Sequence, residues 1–463
     1  VSLYEIFILF STTLLFYNTY LFVNDSKFKI PLYFKIGLYT LIFTIVFQVE
    51  STRIAILISG VSTLLLLYEN HPTALKRFYL IACIILGLCI RIEGGALSII
   101  FVALVYFALS YKSKIQFVKL AIVILPVILL YARVNTPLNL QETKYLQLRP
   151  YQYSLWDFNK NQNIDFKSSK DSAIYHTAQQ FFLSDKNKMS PEYFEKIGVL
   201  KNDKSPTDFL STLSQKKINT SHLHIDINKQ LLYVIIAISF LFIILFAKQK
   251  KQAIFIQILG LITLLLVWIL MKMELRVLEP FLLIILLYSI YIGQVQFDEK
   301  SRKFPIVFSI TLCFISILSS VQYYLYQNNM AKSMDKTIAY LNNLPEKSKI
   351  IVNLLPLINW NNTLLKTNPV LENKHLLSID NGLFFLQKNQ DLYLTELYGS
   401  SEYEIIFKKI ANDQSTFFVS NSERMKLLSD YAQYVYGVEW KYSSIEKFKI
   451  AENDIYVYQF NKE

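Results

Sequence analysis

Long apolar runs recur through this chain and constrain its fold more than any other feature. Of the 463 residues, 53% are hydrophobic, and they cluster in segments separated by short polar stretches. A segment of this kind satisfies its backbone inside a bilayer only as a helix, and about 20 residues are needed to cross. The runs cover residues 3–23, 31–49, 54–68, 78–90, 96–111, 117–132, 231–247, 253–271, 277–295 and 304–326. The sequence predicts a polytopic α-helical membrane protein with about ten transmembrane helices, in which residues 78–90 are the weakest segment and could instead be re-entrant.

The charge distribution excludes other classes of protein. The formal net charge is +12, but the basic residues form short clusters beside the apolar runs, which is typical of topology determinants and not of a nucleic-acid interface. We therefore expect no nucleic-acid partner. The three cysteines lie inside apolar runs, and the nearest approach to a ligand cluster, His222, His224 and Asp226, has no further ligands beside it. The sequence supports no metal site.

Lysine and arginine in the short loops indicate how the chain crosses the membrane. One set of alternate loops carries twelve of them: Lys27, Lys29, Lys76, Arg77, Lys112, Lys114, Lys248, Lys250, Lys251, Lys300, Arg302 and Lys303. The other set carries four: Arg53, Arg91, Lys272 and Arg276. By the positive-inside rule the first set is cytoplasmic. The charged breaks at Glu50/Arg53, at Arg91/Glu93 and in residues 270–280 are then expected on one side, facing the outer compartment.

This orientation divides the chain into four parts. Residues 1–132 hold transmembrane helices 1–6, and residues 231–326 hold helices 7–10. Between them, residues 133–230 form a helical extracytoplasmic loop, and residues 327–463 form an extracytoplasmic α/β domain. The orientation also places Val1 outside. We therefore expect at least one further span and an outer loop upstream; the alternative is that the count of ten is wrong by one.

Local patterns predict elements within the two polar regions. In the loop, we predict a helix over residues 169–183 and a helix N-cap at Ser190 followed by Pro191. In the C-terminal region, helices are predicted over residues 331–343, 401–410 and 422–436, and strands over residues 349–354, 376–379, 416–420 and 454–460. The chain contains no glycine-rich phosphate loop, which argues against an ATP-driven pump or a nucleotide-sugar enzyme.

Three short sequence segments and the order of the predicted regions resemble those of known membrane proteins. Glu50-Ser-Thr-Arg53, Ile90-Arg-Ile-Glu-Gly-Gly95 and Glu274-Leu-Arg-Val-Leu-Glu-Pro280 resemble those of a group of uncharacterised bacterial membrane proteins. The arrangement of many spans, a large outer loop and an outer α/β domain resembles the GT-C superfamily of membrane glycosyltransferases. The resemblance implies an inverting enzyme of the bacterial inner membrane. Its co-substrate would be a polyprenyl-phosphate-linked sugar donor, and its acceptor a glycan, lipid or protein of the cell envelope.

The chain departs from the superfamily at one point. GT-C enzymes carry an acidic catalytic motif in the first outer loop, between their first and second spans, and this chain has no such loop. If the expected upstream span and loop exist, residues 3–23 correspond to the second span of the family and the catalytic acid lies upstream.

The four sparse cations are the candidates for binding the donor. A phosphate leaving group requires positive charge, and arginine binds phosphate through two parallel hydrogen bonds. Lys272 and Arg276 are four residues apart and share one helix face, near which Glu279 also falls. Arg53 and Arg91 complete the set of four. The alternative is that these cations reach lipid headgroups or pair locally with Glu50, Glu93 and Glu274.

The acceptor hydroxyl requires a general base, for which carboxylates are the usual choice. Asp157 lies between Trp156 and Phe158, an aromatic setting that suits a sugar ring; alternatively it is an ordinary turn residue. Glu50 and Glu93 are the second choices.

Proline and glycine residues lie beside the candidate charges. Pro280 is predicted to break or kink its helix and to free backbone carbonyls near Arg276, and Gly94 and Gly95 are predicted to act similarly after Glu93. Such breaks beside the charges would shape a cavity at the outer leaflet. Asp171 and Asp185 are expected at the surface.

Two other function classes remain open. A transporter or a non-catalytic membrane protein of polysaccharide assembly would suit many spans, but a transporter is expected to have two related halves, and none is evident. A polysaccharide polymerase or ligase would place key arginines in the large loop, where only Arg133 and Arg149 occur between Arg91 and Arg276.

Overall fold

The computed structural model describes most of the chain. The described residues are 3–24, 30–47, 51–68, 72–110, 114–137, 143, 146–151, 155, 164–179, 185, 188–199, 227–270, 275–295, 303–353, 375–378, 387–450 and 453–461. They form two compact units. The helical unit comprises residues 1–136, 217–325 and 362–365, and the mixed unit comprises residues 137–216, 326–361 and 366–463.

Helices dominate the described residues. In chain order they are α1 (Leu3–Val23), α2 (Leu32–Phe47), α3 (Ser51–Tyr68), α4 (Ala74–Ile90), α5 (Ile92–Ser110), α6 (Lys114–Asn135), α7 (Ser169–Gln179), α8 (Pro191–Lys196), α9 (Ile227–Phe246), α10 (Lys250–Leu270), α11 (Leu275–Gly293), α12 (Lys303–Asn342), α13 (Gln387–Tyr398), α14 (Tyr403–Ala411) and α15 (Ser422–Tyr436). The strands are β1 (Lys349–Asn353), β2 (His375–Ser378), β3 (Thr416–Ser420), β4 (Tyr442–Ile450) and β5 (Asn453–Phe460). A helix accounts for each of the ten apolar runs.

Among the described residues, seven helices are long and apolar enough to cross a membrane: α1, α3, α5, α6, α10, α11 and α12. The apolar parts of α2 and α9 are shorter, and α4 has 17 residues. The apolar span of α6 is only 11% buried, so its large hydrophobic side chains face outward nearly all round. A surface of this kind is what a lipid environment stabilises and water does not.

Helix α3 forms the centre of the helical unit. Its membrane-length span is 89% buried, and it packs against α1, α4, α5 and α11. Small residues allow these helices to approach closely: a Cβ at Gly87 of α4 would overlap the Ser59 hydroxyl of α3 and lie 3.0 Å from the Ala55 carbonyl oxygen. Close packing through small residues is the usual way in which apolar helices associate where no hydrophobic effect drives them together.

The predicted helix break at Gly94 and Gly95 does not occur. Both lie within the continuous helix α5. A Cβ at Gly94 would lie 3.1 Å from Ile56 Cγ1, and one at Gly95 would lie 3.1 Å from Ser59 Oγ. The two glycines therefore serve the packing of α5 on α3.

Pro280 is likewise contained in a continuous helix. Helix α11 runs from Leu275 to Gly293 through Pro280, so of the two predicted outcomes, a break or a kink, the break does not occur. Because proline has no amide hydrogen, the carbonyl of Arg276 receives no helical hydrogen bond from residue 280. The effect is confined to the first turns of α11.

The sheet of the mixed unit has the strand order β2-β1-β3-β5-β4. Strands β1, β2 and β3 are parallel, β5 pairs antiparallel with β3, and β4 pairs antiparallel with β5. The predicted strands correspond to β1, β2, β3 and β5. The sequence analysis missed β4, whose side chains are mostly exposed on both faces and so lack apolar alternation, and it missed helix α13.

Caps set the ends of two helices in this unit, and the cap at Ser190 is the one that the sequence predicts. The Ser190 side chain accepts a hydrogen bond from the Tyr193 amide, and Pro191 begins α8. Helix α15 has the predicted bounds Ser422–Tyr436: the Asn421 side chain accepts from the Arg424 amide, and Gly437 ends the helix with a φ of 69°. A positive φ is adopted at low cost by glycine.

Asp185 is buried, not at the surface as predicted. Its side chain is 1% exposed and accepts hydrogen bonds from the Tyr431 hydroxyl (2.7 Å) and from the Tyr436 hydroxyl. Burial raises the pKa of both tyrosines, and the nearby Asp185 carboxylate raises it further. Asp171 is half-buried and accepts from the Tyr193 hydroxyl at 2.8 Å. A buried carboxylate requires such donors, so Asp185 ties its segment to α15.

Gly87→Ala tests the close packing of α4 on α3. The added methyl has to displace Ser59 and the α3 backbone at Ala55, so we expect a loss of roughly 1–3 kcal/mol. Gly37→Ala is the matched control, since its Cβ would meet mainly the flexible end of Leu312 at 3.2 Å. Thermal unfolding of the purified protein in detergent compares the two. Equal unfolding temperatures for both variants and the parent would contradict this packing.

Candidate functional site: the charged end of the helical unit

Three helices begin at the same end of the helical unit. Arg53 of α3 contacts Glu279 of α11, and Thr52 of α3 lies beside Gly94 of α5. We call this region the charged end and define it by Arg53, Arg91, Glu93, Arg276 and Glu279. The described residues of the three charged breaks, predicted to lie on one side, are thus neighbours in space.

A buried ion pair joins α3 to α11. The Arg53 side chain is 3% exposed and the Glu279 side chain is fully buried; Arg53 Nη1 donates to Glu279 Oε2. Tyr233 of α9 donates to Glu279 Oε1 at 3.2 Å, and Arg53 Nη1 also donates to the carbonyl of Ile45 in α2 at 3.4 Å. These additional bonds matter, because a buried ion pair offsets the cost of desolvation only when its remaining polar atoms are satisfied.

This pairing bears on the two interpretations of Arg53. The guanidinium was predicted either to bind phosphate or to pair locally, with Glu50 as the named partner. In the structure it is buried against Glu279, which is 226 residues away in sequence. Arg53 therefore acts as part of an internal ion pair; Glu50 lies outside the described residues.

Arg91 and Glu93 form an exposed pair between α4 and α5. Their side chains are 46% and 40% exposed, and Arg91 Nε lies 3.6 Å from Glu93 Oε2. The Arg91 amide donates to the Gly87 carbonyl and ends α4, while Glu93 lies in the first turn of α5. An exposed pair contributes little to stability because water screens it. Both charges thus remain accessible to a ligand.

Arg276 is the second residue of α11 and is half-buried. It stands one turn before Glu279, on the same helix. The other candidates from the sequence, Asp157, Glu50 and Lys272, lie outside the described residues, as do Glu274, His222, His224 and Asp226. Their predicted roles stay predictions.

The charged end has the chemistry of an anion site. Each helix N-terminus carries about half a positive charge from its unpaired amides, and α3, α5 and α11 all begin here. Arg91 and Arg276 add full positive charges, which suit a phosphate group. Glu93 supplies an accessible carboxylate. Within the described ranges, no group of three His, Cys, Asp or Glu side chains could hold a metal ion.

Sequence reasoning missed the partnership of Arg53, Glu279 and Tyr233. A usable signal was present: Arg53 and Glu279 each stand near the start of an apolar helix, and a charge placed there has to find a partner. The sequence did not indicate that α3 and α11 are neighbours.

The chain matches no protein-family model, no curated protein and no solved structure. Its functional assignment therefore rests on the geometry and chemistry of the charged end.

Removal of one partner tests the buried pair. Glu279→Gln removes the carboxylate from a buried ion pair, so we expect a loss of about 3–5 kcal/mol. The double variant Arg53→Met with Glu279→Leu removes both charges and should recover most of that loss. Thermal unfolding in detergent measures all three proteins, and Glu93→Gln is the control for an exposed pair, with a change below about 1 kcal/mol. A double variant no more stable than Glu279→Gln would contradict the ion pair.

Proposed function

We propose that this chain is a polytopic membrane glycosyltransferase of the GT-C type. It moves a sugar from a polyprenyl-phosphate-linked donor to a glycan, lipid or protein acceptor of the cell envelope, in the bacterial inner membrane. The exposed apolar surfaces of the helical unit support the membrane location. The mixed unit would lie outside the cytoplasm, on the side to which the positive-inside rule assigns residues 133–230 and 327–463.

The observation that carries the proposal is the charged end. Three helix N-termini, Arg91 and Arg276 gather at one end of an apolar bundle. A donor of this class has a long apolar chain and a phosphate headgroup, and it needs an apolar surface beside positive charge. Lipid-exposed helices that end in cations offer that combination. Because the negative charge on the phosphate grows as the sugar leaves, cations there stabilise the transition state more than the ground state.

Glu93 is the base candidate that the described residues support. It would take the proton of the acceptor hydroxyl as that oxygen attacks the anomeric carbon. The bond from the anomeric carbon to the phosphate oxygen then breaks, and the polyprenyl phosphate leaves with the electron pair. Attack from the face opposite the leaving group inverts the anomeric configuration. Asp157 and Glu50 stay alternatives for the same role.

Transport is the second candidate function, and one observation favours it. The Arg53–Glu279 pair with Tyr233 lies buried among helices of membrane length. Ionisable groups in such positions often line the pathways of transported ions or protons. The charged end as a whole favours the transferase, because the exposed Arg91 and the half-buried Arg276 would have no evident role in that pathway.

Lipid-phosphate binding tests the proposal. Arg91→Ala and Arg276→Ala each remove a cation from the charged end, so each should weaken the binding of polyprenyl phosphate about tenfold or more, which corresponds to about 1.4 kcal/mol. Protein in nanodiscs containing graded amounts of polyprenyl phosphate, analysed by native mass spectrometry, provides the measurement.

The control is Arg77→Ala. Arg77 lies in the first turn of α4, about 20 Å along that helix from Arg91, and it is exposed. Its removal changes the net charge equally and should leave binding within twofold of the parent. Equal binding by all variants would remove the charged end as the headgroup site, and proton-coupled uptake by reconstituted protein would favour transport.

A further inference from the structure

A groove in the mixed unit is separate from the charged end. It has a volume of about 530 Å³ and lies between α7, the segment that precedes it, and α15. The side chains that matter are Asp165, Phe166, Ser172, His176, Asp430 and Tyr434. This volume is within the range of small-molecule sites, roughly 300–1,000 Å³.

Packing holds the walls of the groove in place. The Thr177 hydroxyl of α7 donates to the Leu427 carbonyl of α15 at 3.4 Å, which ties the two helices together. The ring of Phe166 lies 5.1 Å from the ring of Tyr175 and 5.8 Å from that of His176, between ring centres. Because Tyr175 is buried in the core of the mixed unit, Phe166 is anchored and the groove is preformed.

The charges of the groove determine which ligand charges are compatible with it. Asp165 and Asp430 contribute two carboxylates, and none of the described residues that line the groove is a lysine or an arginine. Neither carboxylate forms an ion pair with any side chain in the described part of the chain. An acidic ligand would be repelled, whereas hydroxyl or amine donors would meet strong acceptors.

The aromatic side chains of the groove further limit the kinds of ligand that fit it. Tyr434 is 49% exposed at the groove, and Phe166 and His176 offer two more ring surfaces. Rings of this kind present an apolar face with a polar edge. A sugar ring matches such a wall, because it has a face of C–H groups and an edge of hydroxyls.

We infer that this groove binds a saccharide that carries no acidic groups. The carboxylates of Asp165 and Asp430 accept hydrogen bonds from its hydroxyl or amine groups, and Tyr434 packs against one ring face. This binding site is additional to the proposed glycosyl transfer and takes no part in its chemical step. The experiment below measures saccharide binding and not sugar transfer. A protein without transfer activity can therefore be distinguished from a groove that binds no saccharide.

The experiment uses the full chain in nanodiscs prepared without maltoside detergent, which would itself offer a sugar. Three probes are compared by saturation-transfer difference NMR and calorimetry: cellotetraose, which is neutral; the fully deacetylated chitosan tetramer, which carries amines; and tetragalacturonate, which is acidic. We expect the first two to bind and the acidic one to give no signal. Tyr434→Ala and Asp430→Asn should each weaken binding about tenfold.

Matched controls lie on the same helix. Gln433→Ala and Glu423→Gln change exposed positions of α15 that do not line the groove, and both should bind within twofold of the parent. Circular dichroism verifies that all variants fold. Two results would overturn the inference: no saccharide binding by the parent, or saccharide binding that Tyr434→Ala and Asp430→Asn leave unchanged. Binding of tetralysine in place of the sugars would also overturn it, in favour of a cationic peptide.

Discussion

The buried Arg53–Glu279 pair is the interaction on which the rest of the helical unit depends. Two charges set among apolar helices cannot stay unpaired, so α3 and α11 have to lie side by side with their first turns at the same level. Tyr233 of α9 donates to Glu279 and the Ile45 carbonyl of α2 accepts from Arg53, so two more helices contact the pair at this point. Further along the same two helices, the hydroxyls of Tyr68 and Tyr288 lie 2.7 Å apart. The pair thus fixes which helix ends form the charged end, and the exposed cations there follow from that arrangement.

Close packing also positions α4 and α5 against α3. Gly87, Gly94 and Gly95 let α4 and α5 approach α3 closely, which leaves the first turn of α5 beside that of α3. Arg91 and Glu93 then stand at the joint between α4 and α5, exposed and next to the buried pair. One end of the bundle consequently combines a rigid, charge-neutral interior with accessible charges at its rim. That division of roles suits a headgroup site, where the interior has to hold its shape while the rim exchanges ligands.

Sequence reasoning located the helices well because apolar runs, caps and glycine ends are local signals: α15, for example, has its predicted bounds from Ser422 to Tyr436. It predicted that the three charged breaks lie on one side of the membrane, and it did not identify Glu279 as a partner of Arg53, since nothing local identifies a residue 226 positions away. A glycine that breaks a helix and one that admits a neighbouring helix look alike in sequence, so the sequence alone does not separate these two roles for Gly94 and Gly95. Asp185 was expected at the surface for a similar reason: its two tyrosine donors lie in α15, about 250 residues further on.

Orientation of the charged end is the central claim, and cysteine accessibility tests it most directly. With Cys83, Cys89 and Cys313 replaced by serine or alanine, single cysteines are introduced by Arg91→Cys and Arg77→Cys, at opposite ends of α4. A membrane-impermeant maleimide is then applied to intact cells. The account predicts labelling of the cysteine at position 91 from outside, and labelling of the cysteine at position 77 only after the membrane is permeabilised. The reverse pattern would place the charged end in the cytoplasm and contradict the account.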